Sequence, residues 1–205
     1  MKYVDYFLKL KCSSYVLSIV NPISAGPAKE ISEAVTIIKR LREETLKEPM
    51  KYNVLELCAG NPLPSILSVF CQPVDYAVAV DKRIIERKWE EVRRFKYLKM
   101  DIYNDDIFSL INDNTIMISS HCCSSLAKRI IDIYNNSVAR SLYMIPCCIG
   151  KMIPADFPQK EFLKEEIGKY KTWAVYLSML CNGKLDQDNY CLSPANVLIR
   201  AKKYE

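Results

Sequence analysis

Glycine is scarce, at 5 residues in 205, and histidine occurs once. So few glycines exclude collagen-like repeats, and no G-x-G-x-x-G run is present to wrap a dinucleotide pyrophosphate. One histidine excludes a site built from several imidazoles. No apolar run is long enough to cross a bilayer. The opening segment 1–20 is interrupted by Asp5, Lys9, Lys11 and Ser13-Ser14, so it reads neither as a membrane span nor as a secretory signal. The nine cysteines contain no C-x-x-C spacing. Their adjacent pairs, Cys122-Cys123 and Cys147-Cys148, neither bridge easily within a pair nor space like zinc-finger ligands. Neither sign of charge dominates: 29 basic against 24 acidic residues leave +5, which admits an anionic partner without requiring one.

What is present is the composition of a globular protein, 50% hydrophobic and 26% charged, with length for one well-buried core. Many cysteines without a secretory signal point to a reducing, cytoplasmic setting. The expected organisation is a single domain over 1–205. It comprises an N-terminal helical extension (1–49), a central core (50–150) and a C-terminal helix with closing strands (151–205). The stretch 150–158 is too short to separate two domains.

Turn chemistry at Asn21-Pro22 and Ala25-Gly26-Pro27 closes a short N-terminal helix or strand. From Ala28, the spacing of Ile31, Ala34, Val35, Ile38 and Leu41 predicts an amphipathic helix ending near Pro49. Strand-like runs follow at 53–57, 76–80, 95–99, 115–119 and 141–145. Helix-like runs at 62–70, 83–94, 106–111 and 124–135 separate them. Such alternation predicts right-handed βαβ units and a parallel sheet. A helix over 157–181 and a closing strand over 197–201 complete the chain.

The chemistry concentrates at strand ends. Val54 to Leu57 is an apolar strand carrying Glu56, followed by the turn Cys58-Ala59-Gly60-Asn61-Pro62 and a helix start. In a doubly wound sheet this turn is where backbone approaches a nucleotide-containing ligand. The second strand ends at Asp81, about 20 residues past the turn, where a carboxylate can accept from ribose hydroxyls. The third ends at Asp101.

This series resembles the class I S-adenosylmethionine-dependent methyltransferases. Glu56 to Pro62 looks like their first motif, Asp81 like the ribose-binding acid, and Asp101 like the acid on the adenine side. Ile116 to Cys123, with His121, is similar to the strand-four motif of a subset carrying a His-x-Cys-Gly-like sequence, which includes tRNA 2'-O-methyltransferases. Pro146-Cys147-Cys148 adds to that narrower likeness. The resemblance implies a Rossmann-like, doubly wound, mostly parallel seven-stranded sheet with helices on both faces. It further implies methyl transfer from S-adenosylmethionine to an oxygen or nitrogen acceptor, with RNA among the candidate substrates. The cofactor-binding residues it implies are Glu56, Cys58, Ala59, Gly60, Asn61, Asp81, Lys82, Asp101, Ile102 and His121. His121 is the catalytic candidate. No metal is implied.

The sequence departs from the family pattern at Cys58 and Pro62, which stand at small or glycine positions, and at Cys123, which stands where the subset has glycine. Pro62 and Pro64 also remove two N–H donors from the first helical turn. Each candidate has a plainer role beside the functional one. Glu56 can hold the turn through backbone N–H groups, Asp81 can cap a helix beginning at Lys82, and Asp101 can sit with Asp105 and Asp106 in a solvated loop. His121 can be structural. The cysteines can be small buried side chains, with a metal set of His121, Cys122, Cys147 and Cys148 as the minor reading. The basic run through Arg83, Arg87, Lys88, Arg93, Arg94 and Lys96 reads as the wet face of a helix or as an RNA contact. Two other functions share the same features. One is a non-catalytic methyltransferase-fold module that binds RNA or another partner, and the other is an NAD-dependent oxidoreductase, weakened by the single glycine in the turn.

Overall fold

The strand-like runs of the sequence assemble into one seven-stranded sheet in a computed structural model that describes residues 2–20, 26–83, 85–147 and 153–203. The strands are β1 (Asn53–Leu57), β2 (Ala77–Asp81), β3 (Phe95–Lys99), β4 (Thr115–Cys122), β5 (Ser141–Pro146), β6 (Lys184–Gln187) and β7 (Val197–Lys202). Their order is β3-β2-β1-β4-β5-β7-β6. Strands β1 to β5 pair in parallel, and β7 runs antiparallel between β5 and β6. The order reverses direction between β1 and β4, which opens a crevice at the carboxyl ends of those strands.

Two layers of helices cover the sheet because successive residues of a strand face opposite ways. Val54, Ile116, Ile118, Tyr143 and Leu198 face one core, shared with α3 (Pro27–Thr45) and α4 (Leu63–Cys71). Leu55, Met117, Leu142, Met144 and Ile199 face the other, shared with α5 (Ser125–Asn136) and α6 (Lys160–Leu180). Two short helices, α1 (Tyr3–Leu8) and α2 (Ser13–Val20), extend the first layer, with Phe7, Val16 and Val20 fully buried in its core. Among the described residues no helix is long and apolar enough to cross a membrane. The expected turn at Asn21-Pro22 and the start of the 150–158 stretch lie outside the described residues.

Four elements differ from expectation. Residues 83–94 do not form a helix; only a 3-10 turn at Trp89–Glu91 occurs there. Tertiary contacts outweigh the local pattern. Trp89 stacks on Tyr97 with centroids 5.4 Å apart, while Arg94 adopts φ 65° and its guanidinium donates to the carbonyls of Val69 and Val74. The basic run is therefore no helical face: Lys88 pairs with Glu91 at 3.1 Å, and Arg94 clamps the end of α4. Residues 105–110 form a 3-10 helix capped by Asn104, whose side chain accepts from the N–H of Asp106. Helix α6 breaks at Gly168, which takes φ 79°, a conformation glycine adopts without steric cost. Strand β4 runs three residues beyond the expected end and carries His121 to the crevice.

Candidate active site

Strand β1 ends in a tightly braced turn. Cys58 and Gly60 both adopt left-handed backbone, at φ 56° and 50°. The N–H of Ala59 donates to the Val80 carbonyl at 3.0 Å, and that of Gly60 donates to Asp81 Oδ2 at 2.8 Å. The Tyr97 hydroxyl donates to the Gly60 carbonyl at 3.1 Å, and Asn61 Nδ2 donates to Glu30 Oε2 at 2.9 Å. Asp81 Oδ1 accepts from Arg83 twice, from the backbone N–H at 2.9 Å and from Nε at 3.3 Å. Asp81 thus caps no helix. It ties the β1 turn to the end of β2, and its carboxylate stays at the crevice.

Glu56 is placed elsewhere. It is fully buried beneath α4, where Oε2 accepts from the N–H of Ser65 at 2.9 Å. Burial pushes its carboxyl up to about 8, against the lowering effect of the Ser65 bonds. It lines neither cavity of the crevice.

Those cavities adjoin. The first, of about 360 Å³, is bounded by Asp81, Lys82, Asp101, Ile102, Tyr103 and Leu126, among others. The second, of about 230 Å³, is bounded by Glu30, Glu33, Ala59, Gly60, Asn61 and Ser120, among others. Cys58, Arg83 and His121 line both. Apart from Glu56, every residue implied by the resemblance is therefore at one place. At the outer edge Lys82 Nζ lies 3.0 Å from Asp101 Oδ2. The Tyr103 N–H and this lysine hold the Asp101 carboxyl below the usual range.

His121 occupies the junction in left-handed backbone, φ 60°. Its Nε2 contacts Glu33 Oε2 from α3, and the Glu33 side chain is 1% exposed. Sequence reasoning missed Glu33, Glu30, Arg83 and Tyr103 as site residues. No local signal marked Glu33, which falls between Lys29 and Glu30 on the polar side of the helical pattern of α3. The paired cysteines also divide differently: Cys123 and Cys147, one from each adjacent pair, bring their sulfurs to 2.8 Å. Among the described residues no group of three or more His, Cys, Asp or Glu side chains is arranged to hold a metal. Cys148 lies outside them.

The fold has counterparts in solved structures. A Thermoplasma acidophilum protein aligns over 85% of this chain and 90% of its own, at 11% identity and a TM-score of 0.53. The ribosomal protein L11 methylase from Lactobacillus delbrueckii subsp. bulgaricus aligns over 86% and 79%, at 9% identity and TM-score 0.46. P. horikoshii TYW2, solved with MeSAdo, aligns over 88% and 64%, at 14% identity and TM-score 0.47. No curated protein matches the chain in sequence. A family model described as a methyltransferase domain matches residues 28–154, more than half the chain, from the start of α3 to beyond β5. That span holds all the residues named above as lining the two cavities, and the chain accordingly belongs to this methyltransferase-domain family.

Proposed function

We propose that this protein transfers a methyl group from S-adenosylmethionine to an oxygen or nitrogen acceptor, with RNA among the acceptor polymers. The observation that carries the reading is the carboxylate of Asp81 in the wall of the first cavity, where a ribose with two vicinal hydroxyls would meet it. The remaining linings suit the same molecule. Ile102 and Leu126 give apolar walls for a purine, and Asp101 offers an acceptor for an exocyclic amine. In the second cavity Glu30 supplies negative charge toward an ammonium. The amides of Ala59 and Gly60 are already spent within the turn, so Arg83, with a side chain 77% exposed, is the cation available to a carboxylate. The donor brings an activated methyl group, and the chain contributes orientation and charge. The exposed Lys82 and Arg83 at the rim suit a phosphate backbone.

A methyltransferase fold retained as a binding module is the second reading. It is favoured by the internal use of the turn amides. Calorimetric titration with S-adenosylmethionine and with NAD, followed by transfer of labelled methyl to fractionated cell RNA, protein and small molecules, separates the readings. NAD binding without S-adenosylmethionine binding would sink the proposal, and donor binding without transfer to any fraction would favour the binding module. Asp81→Ala is expected to weaken donor affinity by roughly ten- to a hundredfold, the worth of charge-assisted hydrogen bonds. It also lowers the melting temperature, because the Gly60 N–H loses its partner. His121→Ala should leave donor affinity within about threefold and slow transfer by on the order of a hundredfold. Equal transfer by His121→Ala and the native chain would remove the histidine from the chemistry.

A further inference from the structure

We infer that Glu33 is a positioning carboxylate that makes His121 a base, and that the acceptor is consequently a hydroxyl, an atom that must lose its proton to become nucleophilic. This rests on the methyl-transfer reading and narrows it.

Two unfavourable features meet at one point. Glu33 is buried in the middle of α3, between Ile31 and Val35, and a buried ionisable side chain costs several kcal/mol unless it is paired and hydrogen-bonded. His121 holds a left-handed backbone conformation that costs a non-glycine residue about 1–3 kcal/mol. An apolar pair would fill the same space at lower cost. The two come from different elements, α3 and the end of β4, and converge where the two cavities join. Contact with Glu33 Oε2 engages Nε2 as the donor and so fixes the tautomer. Nδ1 is left with the lone pair.

That arrangement serves a particular acceptor. As the hydroxyl oxygen forms its bond to the methyl carbon, the bond from that carbon to sulfur breaks and its electron pair stays on sulfur. The hydroxyl proton passes to Nδ1. The imidazolium so formed carries a positive charge, which the Glu33 carboxylate balances. A carboxylate or a neutral amine already presents a lone pair and has no need of such a base.

The sole histidine makes the test direct, because every imidazole nitrogen signal of this 205-residue chain belongs to His121. Long-range proton–nitrogen NMR of the uniformly labelled protein should show the Nε2–H tautomer. Glu33→Gln should retain it, since an amide oxygen still accepts, and Glu33→Leu should lose it. Both variants should bind S-adenosylmethionine within about threefold of the native chain, with transfer to total cell RNA reduced about tenfold in the first and about a hundredfold or more in the second. The labelled methyl, after digestion to monomers, should sit on oxygen in an alkali-stable ether. Unchanged tautomer and rate in Glu33→Leu, or label on nitrogen or in an ester, would overturn the inference. Failure of the native chain to bind the donor would overturn it by removing the reading beneath it, and is told apart because the tautomer measurement needs no donor.

Discussion

Cys58 opens the β1 turn in left-handed backbone, and its side chain makes that conformation costly. At φ 56° its Cβ is in a conformation that glycine adopts freely and other residues adopt at about 1–3 kcal/mol. Its thiol is largely buried, and that burial pushes its pKa up to about 12, so it is neutral at physiological pH. Replacement by alanine keeps the strain and removes the sulfur; replacement by glycine removes both. Cys58→Gly should therefore be more stable than Cys58→Ala by about 1 kcal/mol in urea unfolding, the reverse of the ordinary ranking of the two residues. The ordinary order would show that the turn relaxes without the left-handed geometry. Residues of this kind differ in how well sequence exposes them. Asp81 was legible because a strand end and a fixed distance from a turn place it. Glu33 was not, because an acid three residues after Glu30, beside Lys29, reads as part of the wet face of an amphipathic helix.

At the scale of elements, β1 and α4 are joined through Glu56, whose carboxyl accepts from the first turn of the helix while fully buried. Burial raises its folded-state pKa to about 8, above the 4.5 of an exposed glutamate. Below about 4.5 the group is protonated in both states and costs nothing. As pH rises from there toward 8 the unfolded chain ionises and the folded chain does not, so stability is lost by up to about 1.4 kcal/mol per pH unit. Glu56→Gln keeps an acceptor for the Ser65 N–H and cannot ionise. Urea unfolding between pH 4 and 9 should show this variant gaining on the native chain across that window and holding a constant advantage above it. Parallel profiles would mean that the carboxylate is solvated. The same scale marks the limit of the sequence reading. The strands were legible because short apolar runs and turn chemistry are local. The segment 83–94 was misread as helix because its conformation depends on Trp89 stacking against Tyr97 and on Arg94 reaching the carbonyls of α4, contacts that no window of neighbours contains.

At the scale of the molecule, the site depends on helices that lie outside the span matched by the family model. That span begins at residue 28, yet α3, which brings Glu30 and Glu33 to the crevice, is pressed against the sheet from above by α1, while α2 packs on α4. Phe7 is fully buried in that contact. Its truncation to alanine should cost about 3–5 kcal/mol, a large part of the 5–15 kcal/mol that is typical of a whole domain. Removal of residues 1–20 should leave the apolar outer face of α3 and α4 exposed and the protein prone to aggregate. Phe7→Ala is the more informative variant because it is expected to remain folded. Amide exchange should quicken along α3 relative to β4 and β5, since the helix loses its outer support while the sheet centre keeps its own. Donor affinity should fall together with that protection, although Phe7 lines neither cavity. If exchange in α3 were unchanged and affinity fell, the effect would travel by another route. If α3 loosened while affinity held, Glu30 would have no part in holding the donor, and the second cavity would belong to the acceptor alone.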